Sequence, residues 1–290
     1  MIADPSFWIV QTLHGLQFSM LLFLLSVGLT VIFGLMHFVN LAHGALYALG
    51  AYIGFSAMRM TGSYWAGFFL APVAVAALGA VLYFGLIRRM RHAGPMNQVL
   101  VTFGLIFIFL DIFRIVWGDI ALGVEPPPAL AGTVELLGVT YSAYRLFIIV
   151  LGLLVMTILH LVLTRTPIGA MIRAGVDNDR MAACLGINVE LVFFTVFCVG
   201  CALAGLAGVV AAPVLAISPN MGTDILIPTL IVVVIGGLGS LKGAVTGSLL
   251  VGFIQTFGAV LAPQIASVAV YALLAGVLVY RPAGLFPARS

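Results

Sequence analysis

The sequence predicts an all-α protein, a polytopic transmembrane helical bundle of eight or nine spans. Three observations carry this. Hydrophobic residues fill 63% of the 290 positions and charged residues only 7%, with a mean hydropathy of +1.26. That leaves too little polar surface to cover a water-soluble globule of this size. The apolar residues fall into runs of the length that a hydrocarbon core about 30 Å thick requires. The basic residues, finally, gather in alternate connections between the runs.

Taken in order, the runs cover residues 9–36, 42–58, 64–87, 97–117, 144–163, 191–215, 225–241, 244–261 and 265–280. The second and seventh are short, and glycines interrupt or border both. The second segment is therefore expected to be broken or re-entrant, which leaves the count at eight or nine. Ahead of the first run, Met1-Ile2-Ala3-Asp4-Pro5 lacks the basic region of a signal peptide, so the first span is expected to be retained. All 290 residues read as one transmembrane domain.

With the N-terminus outside and nine crossings, the inner connections collect Arg88, Arg89, Arg91, Arg165, Arg173, Arg180, Lys242, Arg281 and Arg289, nine of the twelve basic residues. The outer segments hold Asp4, Asp111, Asp119, Glu125, Glu135 and Asp224, with Arg59, Arg114 and Arg145 as their bases. This distribution places the C-terminus in the cytoplasm. The net charge of +3 then reports topology and implies no nucleic-acid partner.

Two loops exceed what a connector needs. Residues 164–190 form a polar, charged cytoplasmic loop between apolar runs. In it Thr166 is placed as a helix cap and Pro167 at the first helical position, where its missing N–H does no harm. A second short segment begins at Asp177 and stops at Gly186. Two short amphipathic helices on the end of a membrane bundle suit a docking element for a soluble partner. The external loop, residues 118–144, carries Glu125-Pro126-Pro127-Pro128, which is stiff and extended because proline fixes φ and supplies no donor. It docks a partner, covers the mouth of a pathway, or only links two spans.

Several apparent chemical motifs fail. Cys198-Val199-Gly200-Cys201 has redox or zinc spacing but lies inside an apolar run without a second ligand pair, so it reads as packing. In Gly236-Gly237-Leu238-Gly239-Ser240-Leu241-Lys242-Gly243, Leu241 stands where a phosphate loop needs its second glycine and Gly243 where it needs Ser or Thr. His14, His37, His43, His92 and His160 show no ligand spacing, and no Ser–His–Asp arrangement is visible. No catalytic or metal site is expected.

The glycines point to close helix packing. Gly50 and Gly54, then Gly200, Ala204 and Gly208, then Gly239, Gly243 and Gly247 set small residues on one helical face. Between the first two runs, Asn40 and His43 stand among glycines. Polar groups and loosened helix at membrane depth are tolerated where they line a cavity or are buried in protein. A cytoplasmic turn is the plain alternative. The candidate path residues are Asn40, His43, Gly44 and Tyr47.

These residues carry a resemblance. Gly28-Leu29-Thr30-Val31-Ile32-Phe33-Gly34, Asn40-Leu41-Ala42-His43-Gly44 and Leu49-Gly50-Ala51-Tyr52 resemble the opening of the branched-chain amino-acid permeases of bacterial ABC importers, the LivH-like subunits. The likeness continues in Thr166-Pro167-Ile168-Gly169, Ala182-Ala183-Cys184-Leu185-Gly186-Ile187-Asn188, Ile235-Gly236-Gly237-Leu238-Gly239-Ser240 with Gly243-Ala244, and Arg281-Pro282-Ala283-Gly284-Leu285-Phe286. It covers nearly the whole chain, in order.

The resemblance implies the fold of a type II ABC importer permease in the bacterial inner membrane, with no enzyme activity or cofactor in this chain. ATP and Mg²⁺ would belong to the partner ATPase. It makes residues 177–186 the coupling helix, with Ala182 and Gly186 at small-residue positions and with Arg173, Asp177, Asp179, Arg180, Met181 and Leu185 around them. The family often places an acidic residue before the alanine pair. Here Arg180 and Met181 stand there, so a hydrophobic knob of Met181 and Leu185 would fill the partner's groove. Implied partners are a second permease (LivM-like or a second copy), two ATP-binding subunits and a periplasmic substrate-binding protein. The implied substrate is a branched-chain or other hydrophobic amino acid, with urea, a short amide or an aromatic acid as alternatives.

Two other classes were weighed on the residues. An intramembrane Mg-dependent transferase needs clustered acids, and Asp177 with Asp179 is the only close pair. A secondary transporter keeps ionisable residues deep in its spans. Asp111 and Arg114 fall near the outer end of a run and are expected to pair as i, i+3 neighbours.

Overall fold

A computed structural model describes residues 5–36, 38–90, 93–136 and 138–286. Among the residues named above, Met1, Ile2, Ala3, Asp4, His37, Arg91, His92 and Arg289 lie outside the described residues.

Each apolar run becomes one long helix. In order these are α1 (Pro5–Met36), α2 (His43–Thr61) and α3 (Tyr64–Leu82), the last passing through a π-helical turn (Tyr83–Ile87) into α4 (Arg88–Met90). Then come α5 (Pro95–Trp117), α6 (Ala143–Arg165), α7 (Pro167–Asp177), α8 (Asp179–Cys184), α9 (Val189–Ala211), α10 (Met221–Gly236), α11 (Leu241–Leu261) and α12 (Ala266–Tyr280). The loop of residues 118–144 adds an antiparallel hairpin of β1 (Thr133–Leu136) and β2 (Val139–Ser142), which its prolines do not foretell.

Among the described residues, six helices are long and apolar enough to cross a bilayer: Pro5–Met36, Tyr64–Met90, Pro95–Trp117, Ala143–Arg165, Val189–Ala211 and Leu241–Leu261. The chain is thus a multi-pass helical membrane protein. α2 has the length but not the apolarity, and α10 is short at 16 residues.

Burial sets the layout. In α1, 78% of the membrane-length window is buried and in α9 56%, against 22% in each of α5 and α6. α1 and α9 are therefore central, and α2, α3, α10 and α11 pack on them. Lipid offers no hydrophobic drive between helices, so backbones must come close enough for dispersion to act. Gly50 meets Gly205, Gly54 meets Gly67, Gly44 meets Gly222, and Gly236 meets Gly243. Cys201 packs against Gly79, which confirms packing in place of metal or redox spacing.

The glycine stripe beginning at Gly239 needs correction. Gly237 and Gly239 have positive φ, +101° and +80°, so the helix stops at Gly236 and does not run on to residue 241. α11 starts afresh, with the Ser240 side chain accepting from Gly243 N at 3.1 Å. Only Gly243 and Gly247 share its face, while Gly239 serves instead by admitting Gly34 of α1.

Six of the basic residues share one end of the bundle. Arg88 pairs with Glu190 at the start of α9 (3.0 Å). Gly175 of α7 meets Leu35 near the end of α1, and Gly284 packs on Gly237. These contacts gather Arg88, Arg165, Arg173, Arg180, Lys242 and Arg281. At the other end the Tyr144 hydroxyl donates to the Val210 carbonyl at 2.8 Å and accepts from the Tyr64 hydroxyl at 2.8 Å, with the Val209 carbonyl 3.3 Å from Tyr64 Oη. There Arg114 pairs with Asp119 at 3.4 Å, where Asp111 had been expected. Gly118 ends the helix and turns Asp119 back toward the last turn of α5, which i, i+3 spacing cannot foresee.

Candidate functional site

Two places collect the candidate residues. The first is the junction of α1 and α2. After Met36 the chain turns back along α1 in non-helical form, and α2 begins beside the middle of α1. His43, the first residue of α2, donates from its ring Nε2 to the Leu25 carbonyl at 3.2 Å. Leu25 lies eleven residues before the end of α1, or about 16 Å along the axis. Gly28 makes the approach feasible, since a Cβ there would meet the His43 ring and the Gly200 carbonyl. α2 itself is unbroken. The irregular backbone precedes it.

That backbone is satisfied by α5. Gln98 Oε1 accepts from Val39 N and Thr102 Oγ1 donates to the Val39 carbonyl, both at 3.4 Å. Gln98 and Thr102 are themselves buried. Sequence reasoning missed both, although a polar pair at i, i+4 inside an apolar run was a usable signal.

Asn40, His43 and Tyr47 are almost fully buried, and Gly44 is closed against Gly222 of α10. The four candidate path residues thus lie together at the meeting of α1, α2, α9 and α10, within the protomer. His43 Nδ1 and Tyr52 Oη have no hydrogen-bond partner among the described residues.

The second place is the α7–α8 loop. The Thr166 side chain accepts from Gly169 N at 3.2 Å, with Pro167 at the first helical position, as the sequence indicated. α8 is capped at both ends. Asn178 Oδ1 accepts from Met181 N at 2.9 Å. Gly186, at φ +85°, then closes a Schellman pair in which Ile187 N donates to the Ala182 carbonyl at 3.1 Å and Gly186 N to that of Ala183 at 3.0 Å.

Exposure divides the coupling candidates. Met181 is 59% and Leu185 76% exposed, whereas Ala182 is 2% exposed. Ala182 is small because its own chain covers it, and Gly186 is glycine for its backbone angle, since a Cβ there would meet nothing. Arg173, Asp177, Asp179 and Arg180 are exposed. Arg173 and Asp177 also line a cavity of about 420 Å³ reaching Val31, Gly34 and Leu35 of α1 and the Gly239–Leu241 turn. α7 therefore packs on the C-terminal end of α1 and shares this cavity with the start of α11. Among the described residues, no group of three or more His, Cys, Asp or Glu side chains is placed to hold a metal ion.

Residues 11–280 match the family model described as branched-chain amino acid transport system / permease component. The chain is 27% identical to the high-affinity branched-chain amino acid transport system permease protein BraD of Pseudomonas aeruginosa, over 96% of this chain and 95% of that protein. It is also 27% identical to LivH of Escherichia coli K12, with the same coverage. Its identity to LivM of Escherichia coli K12 is 25%, over 93% of this chain and 68% of that protein. No solved structure matches it. With nearly its whole length matched, the chain belongs to the family of branched-chain amino acid transport system permease components.

Proposed function

We propose that this chain is a permease subunit of an ATP-driven importer that moves branched-chain or other hydrophobic amino acids across the bacterial inner membrane. The observation that carries this is the family match over residues 11–280. It is a transport subunit and no enzyme. Similarity to both LivH and LivM proteins supports assembly with a second permease. Two ATP-binding subunits, holding ATP and Mg²⁺, and an external substrate-binding protein complete the reading.

In this reading the loop 164–190 is cytoplasmic and α8 is the coupling helix. Met181 and Leu185 enter an apolar groove on the ATPase, and α7 passes the movement to α1 through the Gly175–Leu35 contact. Rocking of the central helices then opens the region around Asn40, His43, Gly44 and Tyr47 to one side and then the other. Eight or nine crossings, a cytoplasmic C-terminus and an external loop 118–144 complete the topology, which the gathering of basic residues at one end supports.

The test is reconstitution of this chain with its partner subunits in vesicles. ATP-dependent uptake of leucine from the binding protein is expected. ATPase activity that ignores loaded binding protein, with no leucine uptake, would refute the reading.

A further inference from the structure

The residue that the importer reading leaves unused is Asp224. The sequence placed it with the outer segments, but the structure sets it in the first turn of α10. Its neighbours fix its depth. Pro219, Gly222, Thr223 and Leu226 line a small cleft against Ile106, Leu110 and Phe113 of α5. These α5 residues lie four to eleven residues before Trp117, the end of α5, so the cleft lies about 6–16 Å below that end. Gly222 touches Gly44, next to the His43 that bonds to the middle of α1. Asp224 thus stands within the thickness of the spans, and its side is exposed.

A carboxylate at this level does not face lipid tails without a heavy desolvation cost. It faces water or a protein cation. Two further features point to a cation as its ligand. Pro228, four residues on, has no N–H, so the Asp224 carbonyl lacks its helical donor and remains an acceptor. Asn220, one turn before, is exposed on the same side, and Ile227, one turn after, is an exposed apolar residue at 51%. The face offers acceptor oxygens next to an aliphatic surface.

We propose that Asp224 is a substrate-recognition residue on a water-filled path along the open face of α10, taking the α-ammonium group of a zwitterionic amino acid whose aliphatic side chain lies toward Ile227. This rests on the importer reading and names the substrate contact within it. Carboxylate and carbonyl oxygens together match the three donors of an ammonium group, and urea or a neutral amide gains far less there.

The test uses the reconstituted assembly and leucine as probe. Asp224→Asn is expected to lower ATP-dependent leucine uptake about tenfold or more, with assembly and unstimulated ATPase activity unchanged, while Asp224→Glu keeps most of the uptake. Asp224→Cys is expected to react with a cationic, water-soluble methanethiosulfonate, and leucine-loaded binding protein with ATP is expected to slow the reaction. Wild-type uptake by Asp224→Asn overturns the proposal, as does an inert Asp224→Cys. Failure of Asp224→Asn to join the second permease also overturns it, because the carboxylate would then be a structural ion-pair partner. If the wild-type assembly moves no leucine, the importer reading fails first, so the two failures are told apart.

Discussion

The carbonyl oxygen of Tyr47 in α2 lies against Gly208 of α9 so closely that a Cβ on residue 208 would coincide with it. No rotamer relieves such a clash, because the colliding atom is backbone on both sides. Gly208→Val is therefore expected to destabilise the bundle by at least about 1–3 kcal/mol. Gly104→Val in α5, where a Cβ meets nothing, serves as the control. Thermal unfolding in detergent compares the two, and equal stability would deny the contact.

The proposed coupling helix, α8, gives a prediction that separates docking from folding. Met181→Asp and Leu185→Asp, at exposed positions, are expected to leave melting unchanged and abolish stimulation of ATPase activity by loaded binding protein. Ala182→Asp buries a charge and is expected to destabilise the loop itself. Gly186→Val forces a left-handed angle on a β-branched residue, at roughly 1–2 kcal/mol. Limited proteolysis of the loop and ATPase assays are the measurements. Normal coupling in the Met181→Asp, Leu185→Asp double variant would move the docking site elsewhere.

Burial of the α1–α2 junction makes accessibility there state-dependent. Cysteine replacing Asn40 or His43 is expected to be silent toward a water-soluble thiol reagent in the resting protein and reactive during ATP turnover. Constant reactivity, or wild-type transport by the Asn40→Leu, His43→Leu double variant, would count against a role in the path.

Topology is tested by fusion. A reporter active only in the periplasm is expected to be silent after Arg173 and active after Glu125, with the C-terminus behaving like Arg173. An active fusion after Arg173 would remove both the cytoplasmic loop and the coupling reading.

Length and apolarity marked the six long, apolar helices found among the described residues, because a bilayer imposes those two properties on a span directly. What they did not mark was where a backbone turns. α10 was read to residue 241 because Leu238 and Leu241 are apolar, while the positive φ of Gly237 and Gly239 ends it at Gly236. In the loop, the caps at Thr166 and Gly186 were legible since capping is local chemistry. The burial of Ala182 was not, because it depends on packing with distant parts of the chain. The same holds for His43, whose partner Leu25 is eighteen residues away, and for Asp224, whose depth only the Gly44–Gly222 contact and the α5 cleft reveal.

The modest apolarity of α2 bears on how the protein is made. This helix is wrapped by α3, α5, α9 and α10 and carries His43, Tyr47, Tyr52 and Arg59, so on emerging from the translocon it partitions poorly into lipid. One of its principal packing surfaces, α9, begins at Val189, 128 residues after α2 ends at Thr61. At a synthesis rate of about 5–20 residues per second the interval is roughly 6–26 s. Through that time α3 and α5, with α1 at His43, must shelter α2, beside the translocon or against a membrane chaperone. Nascent chains stopped before Val189 should therefore be the ones that quality-control proteases recognise, and release of the α9 segment should end that vulnerability.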